Sequence, residues 1–539
     1  MSRLQRIGGW PAVGAALGAG ALMALCYPGV SWYALAPLAW LPLLPWLREP
    51  GRVSVRGAAL LGLLAGTVLH AWVFYWIVGT LETMSGLPTP VAIGGLLAYA
   101  FAMGTHQAAA AGLIAWDARL GLHASTWPLR AGLYLLAAEV VIPFQFPWYF
   151  GNVYYLAPLW HQAADLVGVV GLSAITLALS GWIYDVLRGA RRRHAMVSAT
   201  VLVAAWAGYG ALRLSQVQAA SVRATLPTLL VQHNPSLAEK RSLKPGPRLP
   251  MFERARKLTR DAGVGDAKLV VWSEGALPFF YVPSEADPLV KGRANSLLRR
   301  TTREADALGA ELGVPFLFGT LRRLDPSWGE RARNSGVLIR PGQPRWVYDK
   351  RILVPFGERM PLRDAIPALR DAVAGVSDLG EGDGPAVVSI AGVRVGMSIC
   401  YENLFADHVW SALGEADVLL NLTDDVWFGD TNAPELHLMV QSARSVEMRR
   451  PLLRATATGV TAHVDAAGVI RGRTPVMQAT TLRATAEVRD VDSPFRHGGP
   501  WPARGLTVFA LAGLLWAARR SRNKSARSRP LNARSEGDE

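Results

Sequence analysis

Gly392-Val393-Arg394-Val395-Gly396-Met397-Ser398-Ile399-Cys400-Tyr401-Glu402 is the stretch on which the reading of the fold turns. Its apolar, β-branched run predicts a strand, its end at Cys400 a sharp turn, and a carboxylate follows two residues later. Buried parallel strands of α/β folds present reactive side chains at their carboxyl edge, which makes Cys400 a candidate nucleophile. Cysteine also packs as a small buried hydrophobe, so Cys400 taken alone leaves both readings open.

Working outward, strand patterns precede it at Thr225–Gln232, Lys268–Trp272, Pro315–Thr320 and Ser335–Ile339, and follow it at Asp417–Leu422, Leu452–Thr458 and Thr461–Asp465. Helix-compatible stretches at Phe252–Ala262, Ser296–Leu312 and Glu435–Met448 lie between them. This alternation predicts an α/β sandwich over residues 213–504. There is no internal repeat.

The amino-terminal part reads differently. The 539-residue chain is 51% hydrophobic and only 18% charged, with 19 Trp, a balance that points to a membrane protein carrying a soluble part. Residues 1–212 hold long apolar runs, uncharged apart from Glu139, at Ile7–Leu47 (split by Pro28-Gly29), Gly57–Leu81, Pro90–Trp116, Ala131–Trp148, Leu166–Tyr184 and Ala195–Leu212. Each is near the ~20 residues needed to cross ~30 Å of hydrocarbon, giving about seven transmembrane helices. The first is read as retained rather than cleaved, because a second run follows without a small-residue cleavage site.

Lys and Arg fix the expected orientation. With the amino terminus inside, the inner segments hold Arg3, Arg6, Arg48, Arg52, Arg56, Arg119, Arg130, Arg188 and Arg191-Arg192-Arg193, while the outer loops near 27–29, 82–89 and 149–165 hold none. Seven crossings then place residues 213–504 outside the cytoplasm. A short apolar run, 505–518, bracketed by Trp501 and Arg519-Arg520, predicts a final crossing, although 14 residues also suits a core helix. The basic tail 519–539 is expected to be disordered and cytoplasmic.

Of the net charge of +15, +5 lies in residues 1–212, +6 in 213–504 and +4 in the tail. Most of the excess follows topology, and no basic stripe is interleaved with aromatics, so no nucleic-acid partner is expected. The two cysteines, Cys26 and Cys400, form no disulfide framework and no Cys-rich metal site, though a bond between them stays open. Within the spans, Glu139 suits either a lipid head group or a partner on another helix, while His70 and His106 suit helix-to-helix hydrogen bonds. The aromatic, uncharged segment Phe144–Asn152 suits a lipid-facing mouth.

Three polar residues lie where the sandwich would expose them. Glu274 follows one apolar strand, Lys350 follows Trp346-Val347-Tyr348-Asp349, and Cys400 ends another. A thiol needs a base at neutral pH, which a carboxylate of raised pKa supplies, and an ammonium stabilises an oxyanion. Singly, Glu274 or Lys350 is equally a solvated strand end.

Together they match a known pattern. Trp272-Ser273-Glu274-Gly275-Ala276-Leu277-Pro278, Tyr348-Asp349-Lys350-Arg351-Ile352-Leu353-Val354-Pro355-Phe356-Gly357-Glu358 and Ile399-Cys400-Tyr401-Glu402 resemble the Glu, Lys and Cys motifs of the nitrilase superfamily. The Lys-x-x-Leu-Val-Pro-Phe-Gly-Glu run, Asp425–Asp430 and Arg449–Ala462 narrow the resemblance to the apolipoprotein N-acyltransferases of bacterial lipoprotein maturation, whose layout is similar as well. The resemblance implies a polytopic helical membrane domain with an extracytoplasmic nitrilase-like αββα sandwich in the bacterial inner membrane. It implies Glu274 as general base, Lys350 as oxyanion stabiliser, and Cys400 as the nucleophile that carries an acyl chain as a thioester. The implied donor is a phospholipid and the acceptor the α-amine of a diacylglyceryl-cysteine at an apolipoprotein's start, with no cofactor and no metal. Glu358 matches a carboxylate on a loop over the site, Tyr401 and Glu402 match residues flanking the nucleophile, and Trp427 matches an aromatic near it. Scaffold hydrogen bonding, or core packing for Trp427, is the alternative for each. Arg359-Met360-Pro361-Leu362 suits a lid.

Three departures stand out. The tryptophan usual after the first strand is missing among Ala238-Glu239-Lys240-Arg241-Ser242, which leaves lipid contacts there unsupported. Gly275 follows Glu274 where a hydroxyl residue is commoner, and Thr423-Asp424 replaces Ser-Asn or Thr-Asn before Asp425. Two other functions remain open to the sequence: a membrane-tethered amidase with water as acceptor, and a non-enzymatic transporter or receptor with a degenerate α/β domain.

Overall fold

The computed structural model describes residues 8–527 apart from 50, 243–244, 278–280, 282–292, 323–330 and 361–377. Arg3, Arg6, Pro278 of the Glu motif, Pro361-Leu362 of the expected lid and tail residues 528–539 therefore lie outside the described residues.

Among the described residues, twelve strands build two six-stranded sheets. β1 (Val222–Gln232), β2 (Leu269–Trp272), β3 (Phe316–Arg322), β4 (Arg333–Ile339) and β5 (Trp346–Asp349) are followed by β6 (Val387–Ile390), β7 (Val393–Ile399) and β8 (Val418–Thr423). β9 (Leu452–Thr456), β10 (Ala462–Val464), β11 (Ile470–Arg473) and β12 (Thr480–Arg489) complete them. The orders are β12-β1-β2-β3-β4-β5 and β11-β10-β9-β8-β7-β6. Parallel pairing occupies the middle of each sheet, β1–β2–β3 in one and β7–β8–β9 in the other, and the edges are antiparallel.

Alternation along the strands explains the layering. Leu226, Leu230, Val271, Leu317 and Tyr348 of the first sheet pack against Met397, Ile399, Leu420, Leu422 and Leu453 of the second. The intervening residues Leu229, Val231, Val270, Trp272 and Phe316 turn to the other face and bury Phe252 and Ala255 of helix Pro245–Ala262 and Ala305 and Leu308 of helix Arg293–Leu312. Helices Ala406–Leu413 and Ala433–Met448 cover the second sheet, completing an αββα sandwich. The sheets meet so closely at β4 that a Cβ on Gly336 would lie 1.7 Å from Met397 Cε.

Ahead of the sandwich the chain is helical. Among the described residues, four helices are long and apolar enough to cross a membrane: Val55–Val73, Val169–Leu187, Arg192–Ala219 and Trp501–Asn523. Gly9–Leu25 is a shorter apolar helix. Three expected spans are not single helices. Residues 30–47 form a 3-10 segment, Tyr33–Leu38, and a five-residue helix, Leu44–Arg48, because Pro37, Pro42 and Pro45 remove amide donors. The run 57–81 breaks between Val73 and Trp76. The run 90–116 is interrupted at Gly104, where an added Cβ would lie 2.9 Å from Leu63 O and Thr67 N of the neighbouring helix. The carboxyl-terminal helix runs Trp501–Arg527, longer than 505–518, so residues 519–527 are ordered helix rather than disordered tail. Its Val508, Phe509, Leu515 and Trp516 are exposed, which suits a lipid-facing helix and not a core one.

Helix Ala433–Met448 is a wall shared by both parts. Leu436, Met439, Val440 and Ala443 join the core of the membrane helices. Asn432 Nδ2 donates to Pro28 O and Val73 O, both at 3.1 Å, and Tyr155 donates to Glu435 at 2.9 Å. At the far end the buried Arg449 Nε donates to Asp165 at 3.0 Å.

Candidate active site

Sheet topology brings the three candidate residues to one edge. Glu274 comes two residues beyond Trp272, the end of β2. β3 runs parallel to β2, and two antiparallel steps through β4 return β5 to the same direction, so Lys350 leaves at the edge where Glu274 sits. Cys400 directly follows β7 of the facing sheet. Gly319 of β3 makes the approach possible, since a Cβ there would lie 2.5 Å from Glu274 Cα.

Cys400 sits at φ +50°, a left-handed conformation that a residue with a Cβ adopts at a cost of order 1–3 kcal/mol. Two sets of hydrogen bonds hold this elbow. The buried Glu402 carboxylate accepts from Ile399 N at 2.7 Å, Arg351 N at 2.6 Å, Ile352 N at 3.1 Å and Tyr348 Oη at 2.9 Å, tying the end of β7 to the turn after Lys350. From behind, Gln441 Nε2 and Asn421 Nδ2 donate to Cys400 O at 3.3 and 3.4 Å. Gln441 is itself held by Arg454, which with His437 flanks the buried Asp425. Glu402 thus has its carboxylate filled by scaffold donors.

In front of the sulfur lies a buried cluster of one cation and two carboxylates. Lys350, with no exposed surface, has its Nζ 3.6 Å from Glu274 Oε1 and 2.8 Å from Glu358 Oε2. Asn334 Nδ2 bridges the carboxylates, donating to Glu274 Oε1 at 2.6 Å and Glu358 Oε1 at 2.9 Å. Burial opposes the charge on Lys350, but Glu358 and Glu274 outweigh it and hold the ammonium above its ordinary range. Burial also raises Glu274, joined by Glu358 and Asp424 and opposed by Lys350 and Asn334, leaving it at about 7. The half-buried Cys400 is pushed up by burial and then by Glu274, against the pull of Lys350. Burial and the neighbouring carboxylates thus favour the protonated form of the sulfur.

The other candidates divide. Glu358 belongs to the cluster, and its Oε2 also accepts from Val354 N at 2.9 Å, closing the loop on itself. Tyr401 turns away from the cluster and donates to Gln145 O in the aromatic segment after helix Trp127–Val141. Trp427 is half-buried, and its carbonyl accepts from Thr80 at 3.2 Å while Phe428 meets Trp76 at 4.7 Å between ring centroids. Cys26 and Cys400 are both free, so no disulfide joins them. Glu139 is buried and accepts from Phe150 N at 3.1 Å, a partner within the protein rather than a lipid. His106 bonds Met103 O, at the end of the helix before its own, and Ile142 O after helix Trp127–Val141, whereas His70 bonds Gly66 O of its own helix. Sequence reasoning did not single out Asn334, Asn421 or Gln441. The one available signal was Asn421, a lone amide within Val418-Leu419-Leu420-Asn421-Leu422.

Comparison with known proteins fits this geometry. Residues 230–493 match the family model for carbon-nitrogen hydrolases, and residues 19–182 that for the apolipoprotein N-acyltransferase N-terminal domain. The chain is 30% identical to the apolipoprotein N-acyltransferase of Geobacter metallireducens, covering 93% of this chain and 92% of that one. The chain belongs to the apolipoprotein N-acyltransferase family. Its relative from Azotobacter vinelandii is 31% identical over 97% of this chain and 98% of its own, and that from Verminephrobacter eiseniae 30% over 90% and 88%. Members of this family are enzymes of the carbon-nitrogen hydrolase superfamily, and the sandwich over the carboxyl-terminal half has that fold. With its apolar helices and the family's amino-terminal domain, the chain is a membrane protein.

Proposed function

We propose that this protein moves a fatty acyl chain from a phospholipid, through a thioester on Cys400, to the α-amine of the diacylglyceryl-cysteine that begins an apolipoprotein. The observation that carries the reading is the buried Glu274–Lys350–Glu358 cluster facing a strained cysteine elbow, on a sandwich that shares helix Ala433–Met448 with a membrane domain.

In the first half-reaction Cys400 Sγ attacks the ester carbonyl of the donor while Glu274 takes the thiol proton. Lys350 stabilises the oxyanion of the tetrahedral intermediate. Collapse breaks the ester C–O bond, Glu274 returns the proton to the leaving alkoxide, and a lysophospholipid departs. In the second half the neutral acceptor amine attacks the thioester, Glu274 takes one N–H proton, and the C–S bond breaks. The proton passes to the sulfur, an amide is formed, and the enzyme is regenerated. No cofactor enters either half. Glu358 keeps Lys350 charged in a buried place, and Glu402 and Tyr401 brace the elbow.

Both substrates live in a bilayer, which accounts for a catalytic sandwich fused to membrane helices. Residues 1–212 form the membrane domain, 213–504 the catalytic domain on the periplasmic side of the inner membrane, and the helix beginning at Trp501 a last crossing. Incubation of the purified protein with phospholipid and a synthetic diacylated lipopeptide tests the reading. N-acylated lipopeptide is expected. Release of free fatty acid with no N-acyl product would instead mean that water is the acceptor.

A further inference from the structure

Three residues far apart in sequence, Lys240, Gly275 and Asp424, meet at one point behind Glu274. Lys240, from the segment that lacks the usual tryptophan, reaches Asp424 with 2.7 Å between Nζ and Oδ2, and both side chains are nine-tenths buried. The same ammonium donates to Gly275 O at 3.0 Å and Glu274 O at 3.4 Å. Gly275 lies at φ +59°, and a Cβ on it would fall 2.9 Å from Lys240 Nζ. A seryl side chain would therefore crowd the ammonium and strain the backbone, and an asparagine at 424 would leave that ammonium without a counter-charge.

We propose that Lys240, Asp424 and Gly275 form one clamp that fixes the main chain of Glu274 and sets the electrostatic setting of its carboxylate. Lys240 and Asp424 are thus positioning residues, and the inference rests on the reading of Glu274 as general base. Each element around Glu274 contributes. Helix Leu237–Arg241 brings Lys240, the end of β8 brings Asp424, and the turn after β5 and its loop bring Lys350 and Glu358. β4 brings the uncharged Asn334, and the elbow of β7 brings Cys400. The buried His233, bonded to Ser273 at 3.3 Å, is kept neutral by its burial and by Lys240 and Arg254. Asp424 disfavours an ionised Glu274, and Lys240 sets its cation 2.7 Å from that carboxylate while gripping the backbone of Glu274 and Gly275.

The test is a double-mutant cycle of Lys240→Met, Asp424→Asn and the pair. Acyl uptake on Cys400, from phosphatidylethanolamine and phosphatidylglycerol in detergent micelles, is followed by intact-protein mass spectrometry across pH. Lys240→Met leaves a bare carboxylate beside Glu274, so the midpoint of the pH–rate curve should rise by about one unit and the rate at pH 7 should fall by up to about tenfold. Asp424→Asn leaves a bare ammonium, so the midpoint should fall. The double variant should return close to the parent in both rate and midpoint. Midpoints that shift in the same direction, or not at all, or additive effects, would overturn the proposal. Melting temperatures of the same four proteins test the pair without reference to catalysis. Each single variant should melt below the double, and the reverse order would sink the clamp even if the parent took up no acyl group, an outcome that would itself refute only the catalytic reading.

Discussion

Lys350 holds a positive charge where no water reaches it, and it does so because two carboxylates and no other cation of the cluster face it. Replacing it by Met should abolish acyl uptake and also destabilise the fold. Breaking a buried ion pair costs about 3–5 kcal/mol, here because Glu274 and Glu358 would be left as two buried carboxylates with no cation between them, bridged by Asn334. Denaturant titration beside the acylation assay checks both effects. The raised Glu274 sets a second expectation at this scale. The base works ionised, so the acylation rate should climb as pH rises through about 7, the value to which burial and its anionic neighbours lift the group, and fall roughly tenfold per unit below it. A rate that is flat through this range would contradict Glu274 as the base. Glu274, Lys350 and Cys400 could be picked out of the sequence because each is a polar residue at the end of an apolar strand. Asn334 and Gln441 could not, because what makes them important is a partner in another element: two carboxylates in one case, the Cys400 carbonyl in the other. Glu402 was legible as a residue near the nucleophile, but only its four donors reveal that its carboxylate is committed to the scaffold.

Strands with strong apolar patterns, such as β2, β7 and β8, are evident from the sequence, since both faces are buried and nearly every position must be apolar. The edge strands are not. β12 buries only Ala484, Ala486 and Val488 on alternate positions, too little hydrophobicity to separate Thr480–Arg489 from a loop, and its place is fixed by antiparallel pairing with β1. The membrane helices show the opposite error. Uncharged runs predict crossings well, but hydropathy says nothing of where Gly104 must let a neighbour approach or where three prolines unwind residues 33–48. One substitution tests the sheet-to-sheet contact. Gly336→Val places carbon where Met397 already sits, and overpacking of this kind costs about 1–3 kcal/mol. Because Met397 lies three residues before the nucleophile, acylation should fall along with the melting temperature. Gly342→Ala, in an exposed turn, should lower stability through φ strain alone and leave acylation intact.

At the scale of the molecule, a catalytic sandwich and a membrane domain share one wall, with helix Ala433–Met448 carrying the active-site braces His437 and Gln441 on one face and apolar contacts to the membrane helices on the other. The wall is pinned at its far end by the fully buried pair Arg449–Asp165. Asp165→Ala should lower stability in detergent by about 3–5 kcal/mol by leaving the buried Arg449, and Arg213 which shares the carboxylate, without a counter-charge, and adding Arg449→Met should recover part of it, as thermal melts of the two variants would show. Communication between lipid side and catalytic side needs no mobile linker in this arrangement, because the same helix belongs to both. The proposal that Cys400 carries an acyl chain taken from a phospholipid is tested most directly by intact mass spectrometry of the protein after mixing with phospholipid. One acyl mass should appear, map to Cys400, be absent in Cys400→Ser, and be discharged by a diacylated lipopeptide. An unchanged mass in the parent protein, or an adduct that survives in Cys400→Ser, would contradict it.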